Sequence, residues 1–281
     1  MITKKLIKDV TINILRRAET TRPEDVKQAL SRAYEQEANK IARVQLKAML
    51  DNVKLAEELQ RPLCQDTGLP LFFVTLGSGN INVNLNDIES GIREGVREAT
   101  EIIPLRPNVV NPITREGGET NTGDGIPHIN YKIADFNVNG LELLVFPKGG
   151  GSENVGAFAM LTPKPEEETV EEIKKFVLDA VLNAAGKPCP PTIIGVGIGG
   201  SADMAMSLAK TALLRPIGVR NGDGRVARIE TELLEAVNST GIGPMGLGGK
   251  TTALEVPIEI EDTHITSLTV GIHFQGWVAR Q

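Results

Sequence analysis

The sequence predicts a mixed α/β fold, α+β in arrangement, with a helical N-terminal segment followed by a mixed sheet threaded with glycine-rich loops. Two observations predict it. Through residues 1–60 the apolar positions recur at helical spacing, and from Leu71 onward short apolar, β-rich stretches punctuated by glycine alternate with further helical segments. At 281 residues, 41% hydrophobic and 23% charged, the chain can bury a core. No Ser/Pro-rich or charge-run linker divides it, so one continuous domain over 1–281 is expected.

Leu6, Val10, Ile14 and Leu15 mark the first helix, and Thr21 caps a second with Pro23 in its first turn. A third runs from Glu37 to Leu59 and leads to Arg61-Pro62. Leu71–Val83 reads as strand, and Asp87–Ile102 as a helix with Ile88, Ile92 and Val96 on one face. The Pro-, Gly-, Asn- and Thr-rich segment Asn108–Asp124 reads as loop. His128–Phe136 and Leu141–Phe146 flank the turn residues Asn137–Gly140 and read as a hairpin. Helix Pro165–Ala185, strand Thr192–Val196, helices Ser201–Leu214 and Arg225–Val237, loop Gly241–Thr252 and apolar alternation over Ala253–Phe274 complete the chain.

Net charge of −6, scattered basic residues and 4% aromatics argue against nucleic-acid binding. No apolar segment is long enough to span a bilayer, and Lys4 and Lys5 stand where a signal peptide needs its apolar core, so a cytoplasmic protein with no membrane contact is expected. Two cysteines cannot make a disulfide framework; each is a thiol, a metal ligand or an inert core residue.

Four loops can carry chemistry. Cys64-Gln65-Asp66-Thr67-Gly68 sets a thiol, an amide, a carboxylate and a hydroxyl side by side: a metal ligand or nucleophile with a proton-transfer group, or a buried Cys before a turn made by Asp66 and Gly68. Lys148-Gly149-Gly150-Gly151-Ser152-Glu153-Asn154 is either an anion-binding nest or a tight turn before a helix capped by Ser152. Gly195-Val196-Gly197-Ile198-Gly199-Gly200 satisfies G-x-G-x-x-G, with Gly195, Gly197 and Gly200 as candidate dinucleotide contacts. Against that, Asp203 in the first helical turn would oppose a pyrophosphate, and no acidic residue ends a second strand at the expected distance. Gly246-Leu247-Gly248-Gly249-Lys250-Thr251-Thr252 looks like a phosphate loop but has Pro244 where the first Walker glycine belongs, leaving a smaller anion or a packed turn.

Taken with Asn121-Thr122-Gly123-Asp124, Pro188-Cys189-Pro190-Pro191 and Thr263-His264, these loops occur in the order found in the α subunits of iron–sulfur hydro-lyases of the class I fumarate hydratase and L-tartrate dehydratase type. The chain resembles that family from about residue 10 to its end. The resemblance implies an α subunit that hydrates or dehydrates a small dicarboxylate, fumarate/malate first and tartrate next. It implies a 4Fe-4S cluster as Lewis acid, and a hetero-oligomer with a β subunit that supplies further groups. By the same resemblance Cys64 and Cys189 are cluster ligands, Asp66 and His264 catalytic or pocket groups, and Gln65, Arg106 and Gly150 substrate contacts. The third ligand falls within Phe274-Gln275-Gly276-Trp277-Val278-Ala279-Arg280, where Gly276 stands in place of cysteine and cannot ligate iron. His273 is the nearest other donor by sequence, and also reads as a core histidine on an alternating strand. A cluster-less structural or regulatory homologue is the rival expectation, ahead of a dinucleotide-binding enzyme.

Overall fold

The computed structural model describes residues 2–77, 83–134 and 140–279. Residues 78–82 of the expected Leu71–Val83 strand, residues 135–139 of the expected hairpin, and Arg280 lie outside the described residues. In chain order the elements are α1 (Lys4–Thr20), α2 (Glu24–Gln36), α3 (Lys40–Leu59), β1 (Leu69–Leu76), α4 (Leu85–Ile102), β2 (His128–Ile133), β3 (Leu141–Lys148), the single-turn α5 (Gly150–Glu153) and β4 (Ala157–Leu161). Then follow α6 (Glu166–Ala184), β5 (Thr192–Ile198), α7 (Ala202–Ala212), α8 (Gly224–Ser239), β6 (Ala253–Glu255), β7 (Ile258–Ile260) and β8 (Leu268–Gln275). This is the mixed helix-and-sheet fold the sequence predicts. Among the described residues no helix is long and apolar enough to cross a membrane.

The backbone divides into two compact units. Among the described residues one comprises 2–23 and 52–150, the other Glu24–Asp51 and Gly151–Ala279. In the first, three strands run in the order β2-β1-β3. The sequence Leu-Pro-Leu-Phe-Phe-Val-Thr-Leu makes β1 apolar almost throughout, as a strand flanked on both edges must be, and Phe72 and Val74 are fully buried. β2 pairs with it in parallel, Leu71 opposite His128, and β3 antiparallel, Leu71 opposite Phe146. The expected hairpin of 128–136 with 141–146 is therefore overturned, because β1 lies between its two strands. Turn residues between two apolar runs give the chain reversal but not the neighbour, and the more apolar strand takes the centre.

Helix α4 starts where the Asn84 side chain accepts from the Asn86 amide, and it buries Ile88, Ile92 and Val96 as its periodicity predicts. Helix α1 is capped by Thr3, whose hydroxyl accepts from Leu6 N at 3.2 Å. Its buried stripe is Ile7, Thr11, Leu15 and Ala18, while Leu6 stays 49% exposed. Of the four apolar positions that mark the helix, Leu15 lies in this stripe, Val10 and Ile14 are half-buried and Leu6 is exposed, and the cause lies in α4. A Cβ on Gly91 would sit 2.9 Å from the Ile7 Cβ, and one on Gly95 only 2.6 Å from the Thr11 Cβ. The two glycines let the backbones approach at the Ile7/Thr11 face, and Lys4–Glu94 (2.5 Å) and Lys8–Glu98 (2.7 Å) ion pairs border the contact. Side-chain volume on the partner helix, not apolar count, decides which face turns inward.

In the second unit the sheet order is β4-β8-β5-β6, with β7 also on β5. β5 runs parallel to β6 and β7 and antiparallel to β8. Residues alternate sides along a strand, so Ile194 and Val196 of β5 and Val270 and Ile272 of β8 join one apolar core with Val177 and Val181 of α6 and Leu233 and Val237 of α8. On the other side come Gly195, Gly197 and Gly271, against α7. A Cβ at these positions would lie 2.0 Å from Ala209 O, 2.1 Å from Ala205 O and 2.7 Å from Ala205 O respectively. The glycines of the G-x-G-x-x-G string seat a helix on the sheet.

Replacing Gly95 by alanine should therefore cost about 1–3 kcal/mol of stability, the usual penalty for overpacking. Urea unfolding measures it, and an unchanged midpoint would show that α1 does not approach α4 there.

Candidate functional site

The first unit holds the Cys64–Gly68 loop. Its entry is fixed by Leu63 N to Glu19 O at 3.0 Å and by Asn52 Nδ2 to Leu63 O at 3.1 Å. Cys64 is a free, half-buried thiol, and Gln65 is exposed. Asp66 and Gly68 form the expected turn: Gly68 N donates to Asp66 Oδ1 at 3.0 Å, with Gly68 at φ +76°. Glycine is needed there twice over, since a Cβ would also come within 2.9 Å of the Lys148 backbone. The second carboxylate oxygen makes the turn more than a turn, because Asp66 Oδ2 accepts from Gly150 N at 2.8 Å. Asp66 and Gly150, 84 residues apart, are thus in contact.

Thr67 points the other way and is buried, 5% exposed. Its hydroxyl accepts from Arg106 N at 3.1 Å and donates to Arg106 O at 3.3 Å, holding both main-chain polar groups of that residue. Asn121, 2% exposed, donates to Arg106 O at 3.1 Å and to Thr100 Oγ1 at 3.2 Å, and accepts from Asn108 N at 2.8 Å. Asn108 returns to the loop, donating to Gly68 O at 3.1 Å. Arg106 itself is exposed. A cation on a fixed backbone therefore stands beside a loop that carries a thiol, an amide and a carboxylate. That arrangement suits a small anion that must also exchange a proton. Thr67, Asn108 and Asn121 were not singled out as site residues: they lie within or beside the quoted motifs, but a polar loop residue that braces a backbone has the same letters as one in solvent.

The second unit holds Cys189, a half-buried thiol in no disulfide, at φ +58° between Pro188 and the cis Pro190–Pro191 bond. Cys189 N donates to Gly186 O at 3.1 Å, and Trp277 N donates to Cys189 O at 3.1 Å. That last bond brings the 276–277 segment onto the cysteine loop. A Cβ on Gly276 would lie 3.4 Å from the Cys189 Cβ, 3.3 Å from Cys189 O and only 2.5 Å from Pro188 O. Gly276 is not in the left-handed region; the space for its side chain is closed by a neighbouring carbonyl.

The residues present do not fit a cluster held by three thiolates of this chain. The chain has two cysteines, and position 276 has neither a donor atom nor room for one. Among the described residues no group of three or more His, Cys, Asp or Glu side chains is gathered to hold a metal ion. His273 is buried in β8, its Nδ1 3.7 Å from Glu153 Oε2, and Glu153 Oε1 accepts from Lys210 Nζ at 2.7 Å. It packs as a core histidine beside the Glu153–Lys210 ion pair. His264 is exposed, and its Nδ1 accepts from Thr266 N at 3.2 Å with Thr266 Oγ1 at 2.9 Å, which leaves the proton of the neutral ring on Nε2.

The other glycine loops are filled from within. Lys250 N donates to Glu37 Oε2 at 2.7 Å, so a carboxylate of the chain sits where the phosphate-loop reading puts an anion. At the start of α7 the Ser201 hydroxyl donates to Asp203 at 2.5 Å, and this bond, with backbone N–H groups, holds the Asp203 carboxyl below its ordinary pKa range. A second anion at that terminus meets a standing negative charge, and with Gly195 and Gly197 facing α7 the dinucleotide reading loses its contacts. Ser152 lies inside α5 rather than capping it.

The profile of the fumarate hydratase (Fumerase) family matches residues 8–281. The chain is 50% identical over 275 residues to the protein named "Putative L(+)-tartrate dehydratase subunit alpha" of Methanocaldococcus jannaschii, a match covering 98% of this chain and 95% of that one. It is 34% identical over 273 residues to the L(+)-tartrate dehydratase subunit alpha of Escherichia coli K12, covering 97% and 88%.

Because Pro188 O closes the position, Gly276→Ala should lower the melting temperature by several degrees, for a cost of about 1–3 kcal/mol. An unshifted thermal transition would mean that the 276–277 segment does not rest on the Cys189 loop.

Proposed function

The chain belongs to the fumarate hydratase (Fumerase) family, and we propose that it is the α subunit of a hydro-lyase acting on a small dicarboxylate in the cytoplasm, with a β subunit completing the enzyme. The observation that carries this is the convergence in one unit of Asp66, Gly150 and the fixed backbone of Arg106 on the Cys64–Gly68 loop. The names of the two relatives favour tartrate over the fumarate/malate pair, and both carry the word subunit.

Dehydration of tartrate removes a proton from one carbon and hydroxide from its neighbour, giving the enol of oxaloacetate and water. In this reading Arg106 takes a substrate carboxylate bidentately, and the Gln65 amide supplies a further hydrogen bond at the exposed edge of the loop. Asp66 exchanges the proton. Both of its oxygens accept backbone N–H bonds, which fixes the direction in which the carboxylate points. The Gly150 N–H is shared between Asp66 and the incoming anion. His264, in the second unit, presents an exposed imidazole whose Nε2–H is a donor. Cys64 and Cys189 retain the family's first two ligand positions, and Gly276 leaves the set one thiolate short, so no step here runs through a cluster.

Gly276 also favours a second reading, a homologue that keeps the fold and has given up cluster assembly. The two separate in one experiment. The chain is co-expressed with a β subunit and purified anaerobically, then assayed for L-tartrate loss and fumarate hydration beside a count of iron and acid-labile sulfide. Turnover supports the hydro-lyase reading, and a complex that turns over neither substrate supports the second. In an active complex Asp66→Asn should lower kcat by about two orders of magnitude while the fold is kept; unchanged turnover would reduce Asp66 to a turn residue.

A further inference from the structure

We infer that Thr67 and Asn121 are positioning residues for substrate binding: they clamp the main chain of Arg106 from two sides and so fix where its guanidinium meets a substrate carboxylate. The inference rests on the reading of Arg106 as the carboxylate clamp and adds the residues that set its place.

Thr67 and Asn121 are 5% and 2% exposed, and burying a polar side chain costs free energy unless its hydrogen bonds are made. Here they are made on one target. Arg106 N donates to Thr67 Oγ1 at 3.1 Å, while Arg106 O accepts from Thr67 Oγ1 at 3.3 Å and from Asn121 Nδ2 at 3.1 Å. The next residue but one is held as well, Asn108 N donating to Asn121 Oδ1 at 2.8 Å. Asn121 is in turn anchored on α4 through Thr100 Oγ1 at 3.2 Å, and Thr100 Oγ1 donates to Val96 O at 2.8 Å. A line of bonds thus runs from a buried helix to the backbone of an exposed arginine.

Arginine has four side-chain torsions and loses much entropy when its head is held, so a cation meant only for solubility needs no braced backbone. Fixing the Cα and both flanking peptide planes leaves only the side chain to order when an anion arrives, which is how a rigid support raises affinity. Thr67 also joins the two halves of the site. Its neighbour Asp66 reaches Gly150, so one residue pair ties the proton-exchange group and the carboxylate clamp to a common frame. Pro107 adds stiffness on the far side of Arg106, since its φ is fixed.

The test uses isosteric changes in the full chain, in complex with its β subunit. Thr67→Val keeps shape and removes the hydroxyl; Thr67→Ser keeps the hydroxyl; Asn121→Asp turns two donors into acceptors that face Arg106 O and Thr100 Oγ1. Three quantities are read: the dissociation constant for L-tartrate and for fumarate by calorimetry, amide hydrogen exchange of the 105–109 segment, and the melting temperature. Thr67→Val and Asn121→Asp should weaken dicarboxylate binding about tenfold and speed exchange at Arg106, and Thr67→Ser should recover most of both. In an Arg106→Gln background Thr67→Val should change affinity no further, a result that simple loss of stability would not give. A parent that binds neither dicarboxylate overturns the reading of Arg106 and the inference with it. A parent that binds while Thr67→Val binds equally well, or a Thr67→Val effect that persists undiminished without Arg106, overturns the positioning role alone.

Discussion

One buried hydroxyl organises the candidate site. Thr67 Oγ1 meets both the N–H and the C=O of Arg106, while the residues on either side of it, Asp66 and Gly68, close onto Gly150 and the Lys148 backbone. Every chemical group of the first unit's site is referred to that point: the thiol and amide precede it in the loop, the carboxylate is its neighbour, and the cation is its bonded partner. Consecutive residues of an extended or turning chain point to different sides, which is how a five-residue string can grip two separate segments at once. Asn121, carried on the loop after α4, completes the grip from the helical side.

Much of the architecture was legible because it rests on local periodicity. The α4 stripe of Ile88, Ile92 and Val96 is buried as its spacing requires, and the strand at Thr192 and the helix after Ser201 fall where expected. What was not legible depended on a distant partner. The face of α1 was chosen by Gly91 and Gly95, some 80 residues away, and the edge positions of β2 and β3 by the more apolar β1. Neither choice leaves a mark in the sequence of the segment it governs.

The same limit applies to the site. Asp66, Gly150 and Arg106 were singled out through resemblance, and the structure brings Asp66 to Gly150 and Thr67 to Arg106; the braces Thr67 and Asn121 were invisible because bracing is a property of burial. The glycine loops show the reverse. Three sequences that look ready for an anion already have one: Glu37 at the Lys250 amide, Asp66 at the Gly150 amide and Asp203 at the α7 terminus. A run of exposed N–H groups attracts carboxylates whether they belong to a ligand or to the chain itself. Only at Gly150 is the internal carboxylate also a candidate reacting group, so only there does filling the nest leave room for function. Position 276 is closed in the same way, from within: the Pro188 carbonyl occupies the space a side chain would need.

The central claim is that the loop carrying Asp66 and the braced Arg106 receives a dicarboxylate. A crystal structure of the α–β complex grown with L-tartrate tests it most directly. The account predicts one carboxylate of the ligand paired with the Arg106 guanidinium and its carbon chain within reach of Asp66, with the Thr67–Arg106 bonds intact. Tartrate seated elsewhere, with Arg106 turned to solvent, would contradict it.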